Sequence, residues 1–133
     1  MKRWQSSLLV FAMILAALPA AIAQTSGVAV PKYDKASEAV YKGTIVEVRD
    51  RQCPVSGGMG SHLIVKTSEG VIEVHLSTSK FVKQYEVVFK AGDTVEITGV
   101  KVKFEDADAI FARKIKRGTD EFLFRDNDGK PLW

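Results

Sequence analysis

The 133-residue chain carries 19 lysines and arginines against 16 aspartates and glutamates, with two histidines and one cysteine. Lys2 and Arg3 belong to a removable leader, so the mature formal charge falls from +3 to +1, too little for a dedicated binder of bulk nucleic acid. The lone Cys53 excludes an internal disulfide, so the fold must rest on an apolar core.

The chain opens as a secretory signal peptide over residues 1–23. Lys2 and Arg3 are followed by an apolar run from Leu8 to Leu18 and by Ala21-Ile22-Ala23, which predicts cleavage between Ala23 and Gln24. The run is too short to span a membrane, and no later run approaches the length a span needs. The expected location is the periplasm or the medium. Residues 24–40 mix Thr, Ser, Gly, Pro and Lys without sustained period and read as a flexible lead-in. Residues 41–133 are long enough for one domain with one core.

Tyr41 to Asp50 alternates as a first strand, with Thr44, Val46 and Val48 on one face. Arg51 to Gly60 contains a proline and three glycines and reads as a loop. Gly60 to Leu76 then gives two β-rich runs around Ser68-Glu69-Gly70, a hairpin signature. Burying Leu63 and Val65 with Ile72 and Val74 through the shortest loop sets His62 opposite His75 on the other, outward face. A three-residue loop with a bulge at Gly70 is the alternative and would separate them.

Phe81, Tyr85 and Phe89 recur every four residues and predict an amphipathic helix within Ser77–Phe89, capped by Thr78 or Ser79 and closed by Gly92. Asp93 to Phe104 is the longest strand. Its apolar residues change from odd (Val95, Ile97) to even positions (Val100, Val102, Phe104), which predicts a bulge at Thr98-Gly99 restoring one inward face. Ala109–Lys116 and Glu121–Arg125 are further strands, and Asp126-Asn127-Asp128-Gly129 is a turn before Trp133, which should anchor the tail. Three strands, a helix and two strands with a short tail strand predict an all-β protein with one helix: an OB-like five- to six-stranded Greek-key barrel. An open α+β sheet is the competitor.

Four stretches carry a resemblance: Gly-Ser-His-Leu (60–63), Glu-Val-His-Leu (73–76), Gly-Asp-Thr-Val-Glu-Ile-Thr-Gly (92–99) and Leu-Phe-Arg-Asp-Asn-Asp-Gly-Lys-Pro-Leu-Trp (123–133). Together, over Tyr41–Trp133, they resemble a group of small exported bacterial proteins with an OB-type barrel. The resemblance implies fold and export, and adds little about chemistry.

Four residues stand out chemically. His62 and His75, opposed on a hairpin, can converge as neutral imidazoles, and Cys53 and Met59 in the preceding loop add soft donors. Copper or zinc suits that set, and the sequence names no other cofactor. Opposed histidines that pack with Ile64 and Glu73 explain the same residues without an ion. No nucleophile with a base and a third, orienting group stands out, so an enzyme is not expected. The loop glycines precede no helix and form no phosphate cradle. The 126–129 turn lacks the distal glutamate of a calcium loop. Lys101, Lys103, Arg113, Lys114, Lys116 and Arg117 read as polar outward alternation without base-stacking aromatics. The expected function is an exported, non-enzymatic module for a small ligand, a metal ion or a periplasmic protein. Nucleic-acid or oligosaccharide binding on the same face is the alternative.

Overall fold

The computed structural model describes residues 29–133, so the expected leader and the Ala23–Gln24 junction lie outside the described residues. One 3-10 turn, Lys35–Ser37, precedes six strands and a helix: β1 Glu38–Cys53, β2 Gly58–Thr67, β3 Gly70–Thr78, α1 Ser79–Gln84, β4 Thr94–Phe104, β5 Ala107–Arg117 and β6 Asp120–Leu123. The sheet order is β3-β2-β1-β4-β5-β6, and a parallel β3–β5 pairing closes the first five strands into a ring. With its helix between β3 and β4, this is the expected OB-like Greek-key barrel. β6 extends the sheet beyond the ring along the free edge of β5.

Long β1 serves two partners. Its first half pairs with β4 from Glu38↔Val100 to Thr44↔Thr94, and its second half pairs with β2 as far as Cys53↔Gly58. An extra residue, Val46, marks the change, and such a bulge bends a strand sharply. The strand therefore starts before the expected Tyr41 and runs through much of the stretch read as a loop. Gly58 and Gly60 lie inside β2, and only Pro54–Gly57 turns.

Apolar residues from every ring strand fill the interior, among them Ile45, Leu63, Val65, Val74, Ile97, Ile110 and Ile115. The β2–β3 hairpin has the register that alternation predicts: Leu63↔Val74, Val65↔Ile72 and His62↔His75. Its Ser68-Glu69 loop is steadied by Thr67, whose Oγ1 accepts from the Glu69 amide at 3.2 Å. Glu105 and Asp106, at φ 52° and 62°, make the β4–β5 turn, with both central residues left-handed as a twisted two-residue hairpin requires.

Two expectations need correction. The irregularity does fall opposite Thr98-Gly99, but the extra residue is Arg113 of β5. The β1–β4 ladder is unbroken there, so β4 keeps its phase and Val102 and Phe104 face away from the barrel interior. They are covered because a second apolar cluster, Cys53, Phe104, Ala109 and Phe111, forms on that side. The helix is also short. Thr78 caps it by accepting from the Phe81 amide, but Glu86 turns left-handed at φ 53° and ends it. β-Branched Val87 and Val88 follow outside the helix. Phe89 reaches the core from irregular chain, whereas Tyr85 is 61% exposed.

Candidate metal centre

The second cluster surrounds the two histidines. His62 and His75 do point away from the barrel interior, yet they are not on the surface: they are only 1% and 4% exposed. The far end of β1 carries Cys53 over β3, and the thiol Sγ stands 3.4 Å from His75 Nδ1. The rings of Phe104 and Phe111 meet the His75 imidazole edge to face, each with centroids 5.4 Å away. The two imidazoles are themselves perpendicular, with centroids 4.6 Å apart.

Cys53, His62 and His75 each offer one donor atom, and these atoms all lie within 4.8 Å of one another. Metal–sulfur and metal–nitrogen bonds of about 2.0–2.3 Å place neighbouring donors about 3.4–3.7 Å apart, so the Cys53–His75 pair already stands at ligand spacing. The opposite ring nitrogens are occupied. His62 Nδ1–H donates to the Arg49 carbonyl at 3.3 Å, and His75 Nε2 lies 3.2 Å from Glu73 Oε1. The Arg49 bond leaves His62 Nε2 with a lone pair, and the negative carboxylate beside His75 Nε2 favours the proton there, which leaves Nδ1 with one. An outer shell of carbonyl and carboxylate is what orients metal-binding histidines. Arg51 anchors the Glu73 carboxylate and reaches Glu105 at 3.3 Å in the β4–β5 turn.

Burial governs the electrostatics. It lowers the His75 pKa to about 4, helped by the neighbouring His62, and it also lowers His62. Burial pushes the Cys53 thiol up. At neutral pH the three donors are therefore uncharged: two neutral imidazoles and a thiol hydrogen-bonded to His75. A cavity of about 10 Å³ lies among them, walled also by Val55, Ser61, Ser77 and Trp133. Gly60 lets β2 pass close to the group. A Cβ there would stand 2.7 Å from Ser56 Oγ, 3.1 Å from His62 Cε1 and 3.3 Å from Cys53 Cβ.

Met59 does not join the group. It has the opposite parity to Gly58, Gly60 and His62 in β2, is 48% exposed, and lines a shallow groove with Lys80 and Lys83 of α1. Sequence reasoning missed Phe104 and Phe111 as walls, and Arg51 as the anchor of Glu73. The even-numbered apolar run in β4 was the available signal for a second covered face. Trp133 does anchor the tail, packing against the core, and it stacks on Arg125, whose guanidinium carbon lies 5.0 Å from the ring. The basic side chains of β4 and β5 are largely paired: Lys101 and Lys103 with Asp108, Arg113 with Glu38, Lys114 with Glu121 and Arg117 with Asp93.

No curated protein matches the chain. The model of the MamS/MamX magnetosome protein family matches residues 38–122, from the first residue of β1 into β6, and so takes in the whole closed ring. The chain belongs to the MamS/MamX magnetosome protein family.

Proposed function

We propose that this protein is an exported, non-enzymatic binding module that holds a soft metal ion at Cys53, His62 and His75, and that it serves the magnetosome for which its family is named. The observation carrying this reading is the buried Cys-His-His group, with His62 hydrogen-bonded to the Arg49 carbonyl and the Glu73 carboxylate 3.2 Å from His75 Nε2. Metal uptake replaces the thiol proton, which leaves to solvent, and the thiolate and two imidazoles then bind the ion. Export follows from the expected leader, and among the described residues no helix is long and apolar enough to cross a membrane.

The contacts Cys53–His75–Glu73 also have the order of nucleophile, base and orienting carboxylate. Burial speaks against catalysis. A reactive thiol is partly exposed with a depressed pKa, whereas Cys53 is covered, its pKa is raised, and the cavity beside it has no room for a substrate. Paired cations on β4 and β5 likewise favour a small ligand over a nucleic-acid strand.

The test is metal analysis of untagged protein, followed by titration of metal-free protein with copper(I) and with zinc. A His62→Ala/His75→Ala variant runs in parallel. Uptake of one ion per chain, lost in the variant, supports the reading. Negligible uptake by both proteins removes it.

A further inference from the structure

We infer that the ion this site selects is copper(I), bound by three protein donors alone, and that zinc is disfavoured by both coordination number and charge. This rests on the soft-metal reading above and narrows it to one ion.

The donor count comes first. Among the described residues the convergent group is Cys53, His62 and His75. Met59, the natural fourth soft donor by sequence, points into another groove. Glu73 is committed to Arg51. Of the three hydroxyls on the cavity wall, Ser77 donates to the Thr78 carbonyl and Ser56 to the Cys53 and Gly58 carbonyls, and Ser61 offers a neutral hydroxyl, a hard donor poorly matched to a soft ion. Structural zinc takes four protein ligands, and catalytic zinc takes three plus a water. The cavity of about 10 Å³ is about the space one water needs, which leaves little room for a water beside an ion. One thiolate with two imidazoles in a trigonal arrangement is, by contrast, a copper geometry.

Charge points the same way. A monovalent ion with one thiolate and two neutral imidazoles leaves the buried centre neutral. A divalent ion leaves it at +1, among Phe104, Phe111, Val55 and Trp133. Nearby, Glu73 and Glu105 balance Arg51, whereas the buried Arg125 pairs with no carboxylate among the described residues. Arg51 lies beside Glu73, and Arg125 is buried behind Phe111 with its guanidinium carbon 5.9 Å from that ring. Arg125 bonds the Gly129 carbonyl, and its Nε has no hydrogen-bond partner among the described residues. A second uncompensated charge in the same apolar region is costly.

The deciding experiment uses the metal-free full mature chain under reducing conditions. Copper(I) is titrated against bathocuproine disulfonate, zinc is titrated against a chromophoric zinc chelator, and the copper-loaded protein is then challenged with excess zinc. X-ray absorption at the copper edge counts the ligands. Expected are one copper(I) per chain, a shell of one sulfur and two nitrogens, and no displacement by zinc. Cys53→Ser should weaken copper(I) binding by more than the roughly 10–100-fold of an outer-shell change. Circular dichroism of each metal-free variant checks its fold, and if Cys53→Ser does not fold, the wild-type competition and absorption data decide alone. Zinc displacing copper overturns the choice of ion, a four-donor copper shell overturns the three-donor centre, and either leaves a soft-metal site standing. No uptake of either metal overturns the site itself.

Discussion

Glu73 Oε1 stands 3.2 Å from His75 Nε2, and the same oxygen is held by Arg51, so the negative carboxylate favours the proton on Nε2. The carboxylate thereby sets which His75 nitrogen faces Cys53. Glu73→Ala should lower soft-metal affinity about 10–100-fold while keeping one ion per chain. Competition titration measures this, and unchanged affinity would show that Glu73 does not orient the imidazole.

Gly99 packs directly against the Phe111 backbone and the Ile110 side chain, where a Cβ would meet atoms that cannot yield. Gly99→Ala should cost about 1–3 kcal/mol in urea unfolding. Gly58→Ala is the control, because open space surrounds that position, and it should stay within about 0.5 kcal/mol of wild type. Equal effects would contradict the close approach at the bulge.

Glu38 ties the start of β1 to β5. Both Arg113 donors reach its carboxylate at 2.8 Å, and Tyr33 adds a third hydrogen bond at 2.7 Å. Led by the Arg113 bond, these hold the Glu38 pKa at about 2. A folded-state pKa below the unfolded value contributes stability above the unfolded pKa, near 4.3, and loses it as pH falls through about 2. Glu38→Gln should therefore cost about 1–3 kcal/mol at pH 7, with the gap to wild type closing between about pH 4.3 and 2. A pH-independent gap would mean that the charge is not what stabilises the contact.

Cys53 is buried and its pKa is raised, so an aromatic disulfide reagent should label the metal-free native protein far more slowly than the urea-unfolded chain. Equal rates would place the thiol outside the cluster.

Export is checked by intact mass. Protein recovered from the periplasm should begin at Gln24, and a form retaining Lys2 would overturn the reading of the leader.

The hairpin was legible because its information is local. Alternation in Leu63–Val65 and Ile72–Val74 and a two-residue loop fix the register that opposes His62 and His75. Their burial was not legible, since it depends on Phe104 and Phe111 arriving from distant strands and on Trp133 returning with the tail. The irregularity at Thr98-Gly99 shows the same division. Its position can be seen in one strand, but only the pairing with β5 reveals that Arg113 is the extra residue. Gly57, Gly58 and Gly60 read as a loop that would bring Met59 to the donors, but within a strand its parity turns it away. Aromatic spacing alone predicts a longer helix, because it says nothing of the left-handed Glu86 that stops it.

The parallel seam between β3 and β5 consists of Glu73↔Ala109, Val74↔Ile110 and His75↔Phe111, three residue pairs in all. Two of its β3 members are the imidazole next to Cys53 and the carboxylate that orients it. The shortest join in the ring thus borders the pocket at His75, and an occupant there would act as a rivet linking the ends of β1, β2 and β3 beside the seam. Opening the barrel and emptying the pocket would become one event. Amide exchange at Val74 and His75 would then slow as the pocket fills, reporting occupancy from the backbone alone.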